Sequence, residues 1–506
     1  MKPVVCVILL GFAIRLYTFF FIPLINPDGI LYIQQAKALY YGLWDSLTLC
    51  YHHFSNYPVF IAASYKIFGD WLLGARIVSL FFGTISLIPF YLLTRRFFDE
   101  TVSALTLLVF ALLPVFIYVS RDVMRDPAYW FFALLGLYLF ILQIEKPGKW
   151  LLFLSSISFI MGMWARIETV LFILISFGYL VITKKWRSVF FFLTPPLFIS
   201  LVAGICIWVF HRDMPTVFEP RILTVPLDIV SGYQALRDNL SLMADQRPEG
   251  FSPYFFPKVR NLVWLIALGV LGVQIVEALF YPFFLIFILG VPGSMHRIRK
   301  DPRLVYLSVT AVMALVVLYG QILFNWAMFS RFIALFLFPG FFFMGLGVEK
   351  IIRFLTPRLK KGRSAACAVL CLIILLPGLA KSLRANYVED KLVFKEIGEF
   401  IARKEGSTRA VSVAGGFKRV KIVFFYANLN YDGAPCFDPE AELTRGHPPD
   451  TRWIKKKGFH YFLWDEKSGT PEGLDQILKD RAYVKLNEWH SSRLGRLILF
   501  SVMRDA

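Results

Sequence analysis

Charge is scarce in this sequence. Asp, Glu, Lys and Arg make up 18% of its 506 residues, against about 25% in an ordinary soluble domain. That shortage, beside 57% hydrophobic and 17% aromatic residues and a mean hydropathy of +0.60, excludes disorder, a collagen-like chain and an ordinary soluble enzyme. Cysteine is also sparse: of six, Cys6, Cys206, Cys367 and Cys371 fall inside apolar runs. Only Cys50 and Cys436 sit where an oxidising compartment could reach them, and a bridge between them is not expected. There is no phosphate-cradling glycine loop, no zinc-protease helix and no serine nucleophile elbow. No internal repeat occurs at any period, whereas many transporters are built from repeats with matching broken helices. No small-residue cleavage site follows the first apolar run, so it does not read as a cleaved signal peptide.

What the chain does have is phenylalanine, 52 residues of it, mostly in long apolar runs. A span needs about 20 apolar residues. The runs at 4–21, 71–93, 102–119, 128–143, 151–165, 170–182, 189–210, 262–290, 305–323, 332–348 and 365–379 give about eleven spans; the 262–290 run reads equally as an interfacial helix followed by one span. The net charge of +19 does not imply a nucleic-acid partner. Basic residues cluster in the connectors 95–96, 146–149, 184–187, 296–303 and 353–363, each after an even-numbered span among the first ten, so all lie on one side. By the positive-inside bias that side is the cytoplasm, with contact to anionic membrane lipids as the second reading of these clusters.

The expected architecture is an all-α polytopic membrane protein with a small C-terminal α/β soluble domain. Residues 1–380 form the transmembrane domain with outer loops 23–70 and 211–260, and residues 381–506 an extracytoplasmic α/β domain. In that tail, 393–404 reads as an amphipathic helix, and 410–413, 461–464, 482–489 and 496–502 as strands. Long loops in compact domains are usually functional, so a site is expected on the outer face, with the aromatic segment 251–257 as its cover.

Two short stretches carry the ionisable groups. The first is Asn26-Pro27-Asp28-Gly29, ahead of a helix lying in the interface. Asp28 is either a reactive carboxylate at the membrane boundary or simply the helix N-cap. The second is Ser120-Arg121-Asp122-Val123-Met124-Arg125-Asp126-Pro127. On a helical turn Asp122 and Asp126 share a face, as do Arg121 and Arg125; alternatively Asp126 is an N-cap before a proline at the first helical position. Arg166 and Glu168 form either a turn's corner or a site lining. Arg331 either snorkels or lines the site, and Arg15, deep in the first run, snorkels or pairs internally. His52 and His53 are adjacent and cannot both face one ion from a regular helix, so no metal ligand is assigned.

The order of these features, with Asn56-Tyr57-Pro58, then Phe68-Gly69-Asp70-Trp71-Leu72-Leu73-Gly74-Ala75-Arg76, and Arg331 before Phe338-Pro339-Gly340, resembles integral-membrane glycosyltransferases of the C-type fold. The likeness is to the protein mannosyltransferase and aminoarabinose transferase-like group, over roughly residues 1–350. The resemblance implies that Asp28 is the catalytic carboxylate of the first outer loop, Asp126 the acidic position of the second, and Arg121 the basic position preceding it. Gly29 stands where members often have a second acid, and Tyr57-Pro58 where they often have two prolines. Some members bind a divalent metal and others do not.

The resemblance further implies a polyprenyl-phosphate sugar donor, a lipid, glycan or protein acceptor, and a multi-pass protein of the plasma (inner) membrane with a cytoplasmic N-terminus. Transfer is expected as a direct displacement with inversion on the extracytoplasmic face. Asp28 acts as general base, and Arg331, Arg121, Lys66 and Lys37 hold the leaving phosphate. Asp122, Arg125, Arg166, Glu168, Tyr57 and His53 complete the expected substrate-binding set. The rival readings are an oligosaccharide ligase or polymerase using a lipid-linked glycan, a secondary transporter, and a non-catalytic relative.

Overall fold

The computed structural model describes the chain except residues 1, 22–23, 50–53, 211–220, 247–248, 327, 385–391, 417–418, 444–450, 468, 492–494 and 504–506. Among the described residues, six helices are long and apolar enough to cross a membrane: Trp71–Thr94, Asp126–Glu145, Phe255–Leu279, Pro302–Asn325, Ser330–Arg358 and Gly362–Ser382. Two bent pairs, Glu100–Leu112 with Pro114–Arg121 (54°) and Tyr281–Gly290 with Ser294–Lys300 (60°), bring the number to at most eight. Four further apolar helices, Pro3–Phe19, Lys149–Ala165, Ile167–Ile182 and Trp186–Val202, are shorter. The apolar runs thus become helices as expected, the seventh extending over Trp186–Phe210; among the described residues, six to eight pass as full-length spans by length and composition.

The chain divides into two compact units. One comprises Met1–Thr18, Ser79–Arg121 and Arg125–Arg384, the other Phe19–Val78, Asp122–Met124 and Ala385–Ala506. The segment 23–70, expected with the transmembrane domain, groups with the C-terminal residues.

In the first unit, much of the 211–260 stretch is helix rather than loop: Arg221–Gln246 is one helix, and Phe255–Leu279 begins within the stretch. The first of these helices packs closely on Pro302–Asn325. A Cβ on Gly232 would lie 2.9 Å from the Phe324 ring, and one on Gly320 3.1 Å from Ile229. Arg15 pairs internally and is wholly buried. Its Nη1 donates to the carbonyls of Gly11 (3.0 Å) and Ala111 (3.1 Å), and its Nε to Ser120 Oγ (3.4 Å). Ala111 sits beside the break at Pro114, where proline cannot supply the helical N–H. Ser382 donates to the neighbouring Leu112 carbonyl at 3.3 Å. Arginine and serine thereby satisfy carbonyls at the bend, which an apolar surrounding would otherwise penalise.

The basic connectors carry ion pairs. Arg96 (2.9 Å) and Arg303 both bind Glu145, Arg303 also binds Asp301 (2.7 Å), Arg297 binds Glu349 (3.0 Å), and Arg363 binds Asp99.

In the second unit, the C-terminal residues form a five-stranded sheet in the order β2-β1-β3-β5-β4. The strands are β1 (Val413–Gly416), β2 (Glu442–Leu443), β3 (Tyr461–Asp465), β4 (Tyr483–Ser491) and β5 (Gly495–Val502). β1 is parallel to β2 and β3, while β5 is antiparallel to β3 and β4. Parallel neighbours need crossovers, and the helices Val420–Ala427 and Thr451–Lys456 lie in those connections. Phe462, Trp464, Ile477, Ile498 and Phe500 fill the core beside the sheet. The expected helix is present as Leu392–Glu405; the first strand begins three residues later than its pattern suggested, because Val411 and Ser412 bond instead to Asn428 and His460.

Cys436 is disulfide-bonded; Cys50, the other cysteine of the bridge not expected from sequence, lies outside the described residues.

Candidate functional site

Within the second unit, the Pro27–Tyr40 helix carries Asp28. Its N-cap is Asn26, whose Oδ1 accepts from the Gly29 N–H at 2.8 Å while its Nδ2 donates to the Val123 carbonyl at 3.0 Å. Proline at the first helical position suits a residue whose N–H would be unpaired there. Asp28 is therefore not the cap, and its half-buried carboxylate lies in the first turn, where the helix dipole favours a negative charge. Gly29 packs on the 122–124 segment so closely that a Cβ would stand 2.8 Å from Val123 Cβ and 3.0 Å from its carbonyl oxygen. A second acid at this position has no room.

Lys421, half-buried in the first turn of the Val420–Ala427 helix, has Glu442 and Asp28 as its charged neighbours; burial pushes its ammonium below the usual lysine range. Farther along the same helix, the Tyr426 hydroxyl accepts from the Ile25 N–H at 3.2 Å. Burial and neighbouring acids raise that phenol to about 12 although the Ile25 N–H and Arg76 oppose the shift. Arg76 has Asp122, Tyr426 and Asp70 around it, and its Nε and Nη2 are buried with no hydrogen-bond partner among the described residues. Asp122 accepts from its own neighbour's N–H, that of Val123, at 2.7 Å.

Several expected binding residues in this unit are spent elsewhere. Lys37 is buried and its ammonium donates to the carbonyls of Asn428 (3.1 Å), Leu429 (3.1 Å) and Tyr431 (2.7 Å). Three donors meet three acceptors, which leaves none for a phosphate. Tyr57 is fully buried, donates to the Ala75 carbonyl at 3.0 Å and packs edge-on against Tyr32. Lys66 is exposed in the last turn of Asn56–Phe68. His53 lies outside the described residues.

The first unit holds the other group. The Pro114–Arg121 helix ends at Arg121 and a new helix starts at Asp126, so residues 121–126 are not one helical turn and neither charge pair shares a helical face. Pro127 falls in the first turn of the new helix, where its missing N–H costs no helical bond. Nor is Asp126 the cap: Arg125 holds that position, and the Asp126 carboxylate goes to Arg166, whose Nη1 donates to it at 2.5 Å. Arg166 also binds Glu168 through Nη2 at 2.6 Å and Nε at 3.3 Å. Asp126 is 2% and Arg166 6% exposed. The arginine's flat face lies 4.2 Å from the Phe332 ring, which Arg331 also approaches at 5.4 Å. Arg125 adds its charge near Glu168, and Arg121 stacks 4.6 Å from Tyr118. The Tyr129 hydroxyl, with Asp126, Arg166 and Glu168 as neighbours, is buried without a hydrogen-bond partner among the described residues.

Among the described residues no three His, Cys, Asp or Glu side chains are grouped to hold a metal ion. Sequence reasoning named Asp28, Asp122 and Asp126 but gave no role to Asn26, Lys421 or Tyr426, and quoted Arg76 only within a motif. The capping role of Asn26 was readable from its place before Pro27; the other partners have no local signal, Ile25 and Tyr426 being 401 positions apart.

Residues 56–209 match the family model of dolichyl-phosphate-mannose-protein mannosyltransferases. No curated protein matches the chain by sequence. Among solved structures, the oligosaccharyltransferase of Archaeoglobus fulgidus in complex with Zn and sulfate aligns at a TM-score of 0.58 and 12% identity, over 97% of this chain and 72% of its own. ArnT from Cupriavidus metallidurans bound to undecaprenyl phosphate aligns at 0.52 and 13% identity, over 98% of this chain and 97% of its own. The A. fulgidus oligosaccharyltransferase AglB with an inhibitory peptide and a dolichol-phosphate gives 0.52 and 13%, over 97% and 74%. At these identities the structural matches establish a shared fold.

Proposed function

We propose that this chain, a membrane glycosyltransferase of the C-type fold, moves a sugar from a polyprenyl-phosphate donor to an acceptor hydroxyl on the extracytoplasmic face, with Asp28 as general base. The reading rests on one observation above the others. Asn26 caps the helix, and Asp28 holds its half-buried carboxylate in the first turn with the charge of Lys421 as a neighbour. A general base is a partly shielded carboxylate that a bound hydroxyl can approach to hydrogen-bond distance, about 2.6–3.2 Å. The hydroxyl oxygen attacks the anomeric carbon as its proton passes to Asp28, and the bond to the donor phosphate breaks on the opposite side, inverting that carbon.

Solved structures sharing the fold were obtained with undecaprenyl phosphate and with a dolichol-phosphate, which supports a lipid-phosphate donor here. The disulfide at Cys436 supports an oxidising compartment for the second unit, and hence an extracytoplasmic site on an inner-membrane protein. The family match over residues 56–209 favours sugar transfer over the transporter reading.

Mass spectrometry of envelope lipids and glycans from a deletion strain tests this function. A sugar decoration is expected to be missing, to return with the wild-type chain, and not to return with Asp28→Asn, whose turnover falls by about 10²–10⁴. Full restoration by Asp28→Asn would remove the assignment.

A further inference from the structure

We propose that the C-terminal segment is part of the substrate site, Lys421 of the Val420–Ala427 helix binding, together with Arg76, the phosphate of the lipid-linked donor; this rests on the donor reading above. The tail is otherwise a small α/β domain to which neither the sequence nor the family match, confined to residues 56–209, gives any task.

Lys421 is the first argument. It is half-buried, its charged neighbours are Glu442 and Asp28, and no hydrogen bond or ion pair joins its ammonium to any described residue. Lys37, in the same unit, is what a structural lysine looks like: all three donors meet backbone carbonyls. Burial of an ammonium costs free energy unless its donors are met, and Lys421 retains donors that a ligand can meet.

Placement is the second. The helix carrying Lys421 is pinned beside the Asp28 segment by Tyr426, which accepts from the N–H of Ile25, three residues before Asp28. Asn26 fixes the same segment to Val123. Lys421 is therefore held relative to Asp28 by backbone-directed bonds rather than by the carboxylate alone.

Arg76 is the third. Its Nε and Nη2 are buried and unmet among the described residues, and Tyr426 of the same helix is one of its neighbours. A guanidinium with adjacent unspent donors suits a phosphate, which accepts two parallel bonds. The chemistry requires such cations. A carboxylate base and a phosphate leaving group share one site, and their repulsion must be offset as further negative charge develops on the phosphate.

The test is binding to the full chain in detergent, using undecaprenyl phosphate, undecaprenol and inorganic phosphate as probes. Wild type is expected to prefer undecaprenyl phosphate over undecaprenol. Lys421→Gln and Arg76→Gln each weaken undecaprenyl phosphate by about tenfold or more, Lys421→Arg stays within about threefold of wild type, and undecaprenol affinity does not move. The exposed Lys479→Gln serves as control, and the unliganded melting temperature reports folding; if Lys421→Gln melts early, the Lys421→Arg and Arg76→Gln pair carries the comparison. Undecaprenyl phosphate binding that is intact in both Gln variants overturns the proposal while leaving the donor reading in place. Wild type that does not distinguish undecaprenyl phosphate from undecaprenol overturns both. Inorganic phosphate that binds as tightly, with the same Lys421 dependence, supports a phosphate site but overturns the lipid as its source.

Discussion

The side chain of Asn26 accepts the Gly29 N–H at 2.8 Å, and this one bond separates the two readings of the first loop: the asparagine caps, and the aspartate two residues on does not. The same residue ties the helix start to Val123, against which Gly29 packs without room for a Cβ.

Restoring the paired acids of the wider group by Gly29→Glu is therefore expected to fail. The new side chain meets Val123 and Ile25, overpacking that costs about 1–3 kcal/mol. Thermal unfolding of the solubilised chain should register a lower melting temperature, and the sugar decoration should not increase. A Gly29→Glu protein as stable as wild type would show that the 122–124 segment can withdraw.

Asp126 and Arg166 form a buried pair, with side chains 3% and 7% exposed. Removing one partner strands the other, so Asp126→Ala or Arg166→Ala should each cost about 3–5 kcal/mol. The double variant should lose less than the sum, because Asp126 is then no longer stranded and Glu168 loses Arg166 only once. A double-mutant cycle on chemical unfolding measures the difference; strict additivity would mean that the two residues do not interact.

Lys37 gives a pH signature. Burial pushes it down to about 8 from an ordinary 10.5, with Asp432 partly opposing the shift. Between those values the unfolded chain binds the extra proton, so this residue's contribution to stability rises with pH from about 8 to about 10.5 and then levels. The three carbonyl bonds favour the charged form, which keeps the rise below about 3 kcal/mol. Melting curves of wild type minus those of Lys37→Met, taken across pH 7–11, should slope upward in this window. A flat difference would mean that the ammonium is not desolvated.

Much of the fold was legible because a bilayer imposes its own rule. Backbone in hydrocarbon must bond within its own segment, so apolar runs become helices wherever they occur. The connectors were legible as basic clusters, though not that Arg96 and Arg303 converge on Glu145. Local capping stayed open at two positions, each close to a proline. The sequence places an acid beside Pro27 and another beside Pro127, and either suits a cap; the caps formed are Asn26 and the Arg125 backbone.

By itself, then, the order of apolar runs determined a helical membrane protein, and the motifs around Asp28 and Asp126 pointed to a sugar transferase. Only the tertiary structure decided which charges are spent and which are available. Lys37 went to backbone carbonyls, Asp126 to Arg166, and Lys421 came from the far end of the chain to stand beside Asp28. The reason is physical: helix formation answers to neighbours a few residues away, whereas the pairing of a buried charge depends on packing between segments hundreds of residues apart.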